Sequence, residues 1–168
     1  MVKLFGARVD MGEPILEPEK IPVEFSKNPV KGLKIKVEDR EFEFTCVSMG
    51  NPHAVIFMDD IEHLEIEKIG PKFEHHERFP NRVNTEFVKV LDRHTASMRV
   101  WERGSGETLA CGTGACAVAV ACILGGYTEN KVTVKLLGGD LLIEWDREQN
   151  KIYMTGPAEV VFDGVWKA

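Results

Sequence analysis

The sequence lacks a long apolar run. The apolar stretch at 115–124 is too short to cross a bilayer, and residues 1–10 lack the extended apolar segment of a signal peptide. Clusters of Lys and Arg are also absent, and the chain has a net charge of −6 and a pI near 5.4. These absences argue against a membrane or nucleic-acid partner and predict a cytoplasmic protein.

Motifs for metals and nucleotides are missing as well. The four cysteines form no C-x2-C pair and no H-x3-H pair occurs, so we expect no metal site. A cytoplasmic chain of 168 residues does not need disulfides either. The pairs Gly104-Ser105-Gly106 and Gly112-Thr113-Gly114 match neither the phosphate-binding nor the dinucleotide-binding glycine pattern, which makes nucleotide binding improbable.

Short strands with alternating apolar residues dominate what is present. The predicted strands cover 33–37, 42–46, 54–58, 85–91, 97–101, 132–136, 141–145 and 151–154. The first two and the fourth and fifth are expected to pair as hairpins, and the last three to form a meander, because turn residues separate them. The length and the 43% hydrophobic residues fit one globular domain.

Two helices are expected among these strands. One, at about 114–124, ends at Gly125-Gly126 and is apolar on every face, so it must be surrounded by protein. The other is amphipathic within 65–76, where Gly70-Pro71 is expected to restart it. We therefore predict an α+β fold in which a mostly antiparallel, curled sheet wraps around one central apolar helix.

Cys111 lies in a glycine-rich turn directly before the apolar helix. The first N–H groups of a helix are unpaired and carry the positive end of its dipole, which lowers a thiol's pKa and attracts carboxylates. Gly112 and Gly114 let the backbone approach a ligand closely. A buried structural cysteine is the alternative, but the acid, arginine and glycines of 102–106 favour a reactive thiol beside an anion-binding backbone.

Three further segments accompany this turn. They are Gly50–Val55 (GNPHAV), Phe79–Asn84 (FPNRVN) and Glu102–Gly104 (ERG), and they precede Cys111–Gly114 (CGTG). Their order and approximate spacing resemble those of the diaminopimelate epimerase family, from about Val9 to the end of the chain. One such motif would be weak evidence, whereas four in register are strong evidence.

The resemblance implies that the chain is the second of two pseudo-symmetric domains with the active site between them. Residues 1–156 would be the C-terminal domain, and 157–168 a final strand that packs on the absent N-terminal domain. The complete enzyme would be a homodimer that interconverts LL- and meso-diaminopimelate without a cofactor, for lysine and peptidoglycan biosynthesis. Because the absent domain carries the second catalytic cysteine, we expect the isolated chain to be inactive.

The resemblance also implies the role of each site residue. Cys111 is one of two thiols that move the α-proton, while His53 and Glu102 flank the thiols and bias their protonation. The small-molecule substrate, a dicarboxylic amino acid, would be bound by Asn51, Asn84, Glu102, Arg103, Gly112 and Thr113. Cys46, Cys116 and Cys122 are expected to pack in the core and not to supply the second thiol.

Two alternatives remain open. Another isomerase of the same fold is possible, resembling proline racemase or the phenazine-biosynthesis proteins, although Cys111 together with Asn51-Pro52-His53 favours the diaminopimelate enzyme. The chain could also be a carboxylate-binding half-domain that is inert until it is complemented.

Overall fold

The computed structural model describes residues 6–166, which form ten strands and two α-helices, with one 3-10 helix at Pro18–Lys20. The α-helices are α1 (Ile66–Glu74) and α2 (Gly112–Gly125). The strands are β1 (Ala7–Gly12), β2 (Leu33–Val37), β3 (Arg40–Ser48), β4 (Pro52–Phe57), β5 (Asn84–Asp92), β6 (Thr95–Glu102), β7 (Gly106–Glu107), β8 (Lys131–Leu136), β9 (Gly139–Asp146) and β10 (Lys151–Gly156).

All ten strands belong to one mixed sheet with the order β1-β10-β9-β8-β6-β5-β4-β3-β2, and β7 pairs with β6. The pairs are antiparallel except β4 with β5 and β6 with β8. Both predicted hairpins and the meander are confirmed. In the first hairpin, for example, Ile35 lies opposite Phe42. The strands β1 and β7 were not predicted.

The central helix α2 has buried residues on every face, as its sequence requires. It packs against β3, β4, β5, β6, β8, β9 and β10, so the sheet curls around it as predicted. It begins at Gly112, two residues before the predicted start, and ends at Gly125. The next residue, Gly126, caps the helix with a left-handed backbone (φ 75°) that suits glycine. Among residues 6–166, no helix is long and apolar enough to cross a membrane.

The helix α1 lies on the opposite face of the sheet from α2. The predicted restart at Gly70-Pro71 is wrong, because one helix runs through both residues. Ile69 and Phe73 lie on either side of this dipeptide and are buried in the same core, and that packing outweighs the helix-breaking tendency of proline. Gly70 is needed here, since a Cβ atom at this position would lie 2.3 Å from Cδ2 of Trp101.

The middle strands separate two cores because successive side chains point to opposite faces. On β4, Val55 packs in the core around α2, whereas Ala54 and Ile56 pack in the core beneath α1. His53 precedes Val55 by two positions and therefore faces α2. In β5, Glu86 pairs with Val55 and lies two positions before Val88, another residue of the α2 core.

The segment 157–166 contains no helix or strand. Its large apolar side chains are at least 80% exposed, namely Val160, Val161, Phe162, Val165 and Trp166. The packing of 157–168 on a further domain stays a prediction, and residues 167–168 lie outside the described part of the chain.

Candidate active site

The sheet brings the four sequence motifs to one end of α2. Asn84 pairs with His53 where the parallel strands β4 and β5 begin. The antiparallel strand β6 ends at the same edge, so Glu102 and Arg103 follow directly after the pairing of Trp101 with Thr85. Residues 108–110 follow β7 and lead to Cys111, the residue that precedes α2.

Cys111 places its sulfur at the start of α2. The residue has an extended backbone and is 7% exposed, and its Sγ lies 3.7 Å from the Thr113 hydroxyl. The N–H groups of Gly112 and Thr113 have no acceptor inside the helix, because the carbonyls four positions earlier lie before α2. N–H groups of this kind attract anions, and these two lie beside the thiol. A Cβ atom on Gly112 would lie 3.2 Å from Sδ of Met154, so glycine also suits the packing of the turn against β10.

The pKa of Cys111 differs from the sequence-based expectation. Burial, the negative charge of Glu86 and, to a smaller extent, Glu102 raise this pKa, which lies at about 11. The Thr113 hydroxyl and the Gly114 N–H at the helix start lower it but do not compensate. The expectation of a lowered pKa is wrong because it considered the helix start without the burial and the carboxylate that the fold adds.

The other three cysteines are fully buried, as expected from their apolar surroundings. Burial raises the pKa of Cys116 and of Cys122 to about 12. Burial and then the charge of Glu86 also raise the pKa of Cys46. Cys111 therefore has both the largest exposure and the least raised pKa of the four thiols.

His53 is fully buried between two polar side chains. Its Nδ1 lies 2.6 Å from Oε1 of Glu86, and its Nε2 lies 3.0 Å from Oδ1 of Asn51. Asn51 is thus engaged with His53 in the described chain. Glu86 was not predicted as a site residue, although an acid at an inward position of a predicted buried strand is a signal for one.

Glu86 and Cys111 approach each other across Gly114. A Cβ atom on Gly114 would lie 2.8 Å from Oε1 of Glu86 and 3.1 Å from Sγ of Cys111. Any larger residue would therefore fill the space between the carboxylate and the thiol. Gly114 is needed for the carboxylate and the sulfur to face each other.

Asn84 ties the ends of two neighbouring strands together. Its side-chain amide donates to the Pro52 carbonyl at 2.8 Å, and its Oδ1 accepts the Arg103 N–H at 2.9 Å. Asn84 is buried, so its side chain positions the backbone of Arg103. The guanidinium of Arg103 is exposed and donates to the Asn81 carbonyl at 2.9 Å, which leaves other donors facing solvent.

Glu102 is half-buried and is oriented by a neighbour in the following turn. The Thr108 hydroxyl donates to its Oε1 at 2.5 Å. Since Glu102 contributes to the raised pKa of Cys111, its carboxylate acts electrostatically on the thiol. Glu102, His53 and Cys111 are therefore assembled at one end of α2, whereas the Arg103 side chain points toward Asn81.

Glu74 holds the turn that carries Arg103 in place. This role of Glu74 was not predicted from the sequence. Glu74 is buried at the end of α1 and accepts hydrogen bonds from Trp101 Nε1 at 2.8 Å and the Gly104 N–H at 3.0 Å. Arg82 approaches the same carboxylate at 3.4 Å. No sequence signal identified Glu74, because an acid within an amphipathic helix normally faces solvent.

Comparison with known proteins identifies the family of the chain. The family model described as diaminopimelate epimerase matches residues 45–161. A diaminopimelate epimerase of Acetivibrio thermocellus is 60% identical over 157 residues, which cover 94% of this chain and 56% of that protein. A diaminopimelate epimerase of Methanococcus maripaludis is 59% identical over 162 residues, covering 96% of this chain and 58% of that protein. The chain thus spans about half the length of these relatives.

Solved structures support the fold. A hydroxyproline epimerase from Agrobacterium vitis superposes with a TM-score of 0.59 at 13% identity, covering 91% of this chain and 50% of that one. A predicted epimerase from Pseudomonas aeruginosa gives a TM-score of 0.51 at 15% identity, covering 94% and 59%. At these identities the likeness concerns the α+β architecture alone.

Proposed function

Because the chain belongs to the diaminopimelate epimerase family, we propose that it supplies one catalytic cysteine and much of the substrate site for the interconversion of LL- and meso-diaminopimelate. One observation carries the proposal. The sulfur of Cys111 lies at the start of α2, beside two N–H groups that have no acceptor within the helix. A proton donor and a carboxylate site are therefore adjacent, which is the arrangement that proton transfer at an α-carbon requires.

The backbone at the start of α2 would bind the α-carboxylate of the substrate. Removing the α-proton places negative charge on the α-carbon and this carboxylate, and the N–H groups of Gly112 and Thr113 stabilise that charge. The Thr113 hydroxyl lies close enough to Cys111 to contact the same region. No cofactor is required for this stabilisation in the proposed mechanism.

Two thiols would carry the proton transfer. A thiolate on one face takes the α-proton, and the Cys111 S–H bond then breaks to give its proton to the opposite face of the carbanion. In the reverse direction the Cys111 thiolate takes the α-proton of meso-diaminopimelate. The other cysteines are buried in the core, so we place the second thiol on a domain outside this chain.

The remaining site residues would bind the far end of the substrate. Arg103 is suited to a carboxylate because its guanidinium offers paired donors and is exposed. Asn84 supports this role by holding the Arg103 backbone, while Asn51 would contact the substrate from its position beside His53. Glu102 and His53 would bias the protonation of the thiols.

The absent domain is the proposed partner, together with a second copy of the chain in a complete homodimeric enzyme. Exposed apolar side chains between Val160 and Trp166 support a docking role, because such a cluster is unusual on a free surface. Covering the site would also exclude water, which strengthens each electrostatic contact in it.

The test is epimerisation of LL-diaminopimelate by the 168-residue protein, alone and mixed with the separately expressed first half of the Acetivibrio thermocellus relative. We expect no useful rate alone and activity on mixing. A chimera in which this chain replaces the matching 157 residues of that relative provides a covalent form of the same assay. Full activity alone would overturn the half-site proposal, and an inactive chimera that still binds diaminopimelate would favour an inert carboxylate-binding module.

A further inference from the structure

Glu86 is a buried carboxylate that the proposed reaction does not yet use. Its side chain is fully buried on β5, and its Oε2 has no hydrogen-bond partner among residues 6–166. Burying a carboxylate oxygen without a donor is unfavourable. A hydrophobic residue at this inward strand position would avoid that penalty, so packing does not account for Glu86.

The groups around Glu86 belong to the proposed active site. His53 faces it from β4 at 2.6 Å, and Cys111 faces it across the space at Gly114. The charge of Glu86 also raises the pKa of Cys46, which lies on β3 and faces the other side of the sheet. Glu102, at the end of β6, raises the pKa of Cys111. Among the described residues, His53 is the group that forms a hydrogen bond with Glu86.

The ring of His53 lies between two oxygen atoms. Its Nδ1 faces the Glu86 carboxylate, and its Nε2 faces the Asn51 side-chain oxygen. An oxygen acceptor needs a hydrogen on the facing nitrogen, so Nδ1 donates its hydrogen to the Glu86 carboxylate. This hydrogen bond fixes the orientation of the ring.

We propose that Glu86 is a positioning residue of this site: it orients the ring of His53 through Nδ1, and its negative charge keeps the Cys111 sulfur protonated until substrate binds. The inference rests on the proposed function. A protonated sulfur is ready to give its proton to the α-carbon. The same negative charge makes the thiolate that remains a stronger base, so it can take the α-proton in the reverse direction.

The test is the pH dependence of Cys111 alkylation in the folded 168-residue protein, followed by mass spectrometry. In Glu86→Gln we expect the midpoint to move to lower pH by about one pH unit or more, because a nearby negative charge is removed. Glu43→Gln removes an exposed carboxylate from β3 and should leave the midpoint unchanged. An unchanged midpoint in folded Glu86→Gln would overturn the proposal.

The hydrogen bond between His53 and Glu86 provides a second test that needs no variant at Glu86. Nitrogen NMR of the wild-type protein, with His53 identified by its absence in His53→Gln, should show that Nδ1 carries the hydrogen donated to Glu86. An Nδ1 without a hydrogen would overturn the proposal, even if Glu86→Gln does not fold. Neither measurement requires epimerase activity. A failed epimerisation assay beside the expected alkylation shift would refute the proposed function and leave the effect of Glu86 on Cys111 established.

Discussion

Glu74 and Glu86 are both buried carboxylates, but their surroundings differ. Glu74, at the end of α1, accepts hydrogen bonds from Trp101 and Gly104 and lies within 3.4 Å of Arg82. Glu86, beside the start of α2, contacts His53 through one oxygen and leaves the other without a donor. One region of the site therefore contains a fully paired carboxylate and the other a partly paired one.

Glu74 therefore has a structural role, whereas Glu86 acts on the chemistry of the site. Burial alone would raise the pKa of Glu74, but the hydrogen bonds from Trp101, the Gly104 N–H and Arg82 outweigh burial and lower it. Glu74 therefore stays negatively charged, and its hydrogen bonds hold the turn that carries Arg103 in place. The charge of Glu86 is less compensated, so it acts on a neighbouring group and raises the pKa of the Cys111 thiol.

Removing the paired carboxylate should have the largest effect on stability. Glu74→Ala leaves the Trp101 and Gly104 donors without their acceptor and should lower the free energy of unfolding by about 4 kcal/mol. Urea denaturation followed by fluorescence measures this loss. Glu67→Ala, at an exposed position of the same helix, is the control and should change stability by no more than about 0.5 kcal/mol.

The pH dependence of stability sharpens the same prediction. Because folding lowers the pKa of Glu74 from 4.5, the unfolded chain binds the proton more readily. The contribution of Glu74 is therefore present above about pH 4.5 and is lost as the pH falls below it. Glu74→Ala should lack this part of the acid sensitivity. If the stability of the wild-type protein and of Glu74→Ala depends identically on pH in the acid range, the charge of Glu74 does not stabilise the turn that carries Arg103.

The next largest loss of stability is expected from Gly70→Ala, which overfills the space beside Trp101 and disturbs its contact with Glu74. The new Cβ in Gly70→Ala would lie 2.3 Å from the indole ring, so the ring that donates to Glu74 must move. We expect a loss of about 3 kcal/mol, at the upper end for overpacking. Combining Gly70→Ala with Trp101→Ala should relieve the overlap, and additive losses in this double-mutant cycle would argue against the contact.

Substitution of Arg103 tests whether the turn held by Glu74 binds the substrate. In the chimera, Arg103→Lys should weaken transition-state binding by about 2 kcal/mol, because an ammonium cannot reproduce the paired donors of a guanidinium. The steady-state kcat/KM for diaminopimelate measures this change. Arg147→Lys, at an exposed position distant from the motifs in sequence, is the control. Equal kinetics in the two variants would identify Arg103 as a surface charge.

The smallest perturbation is brief alkylation with iodoacetamide, which compares the thiol regions without any substitution. Cys111 should be modified first among the four cysteines, since it has the largest exposure and the least raised pKa. Peptide mass spectrometry identifies the modified residue. Earlier modification of Cys116 or Cys122 would remove the basis for treating Cys111 as the functional thiol.

Local patterns in the sequence were sufficient for much of the fold. Alternating residues predicted the hairpins, and the uniformly apolar segment predicted a helix surrounded by the sheet, because both signals lie within a few neighbouring residues. Pro71 shows the limit of such reasoning, since distant core packing keeps α1 continuous there. The strands β1 and β7 escaped prediction for a related reason: each depends on its partner strand more than on its own pattern.

The residues of the candidate site also fall into two groups, those predicted from the sequence and those that were not. The cysteine turn and the motifs around His53 and Arg103 were visible because each is contiguous in the chain. Glu74 and Glu86 gain their roles from neighbours 25 or more positions away, such as Trp101 and Cys111. The raised pKa of Cys111 was missed for that reason, because burial and a facing carboxylate exist only after the sheet closes around α2.

Deuterium incorporation at the α-carbon of diaminopimelate in heavy water tests the central claim most directly. The assay compares the chimera with its Cys111→Ala and Cys116→Ala variants, which remove two thiols five positions apart, one directly before α2 and one within it. We predict that Cys111→Ala slows epimerisation with solvent deuterium by roughly 10²–10⁴-fold, the usual contribution of a proton-transfer group, while Cys116→Ala stays within a few-fold of the parent. Wild-type exchange in Cys111→Ala would contradict the assignment of the catalytic thiol to the start of α2.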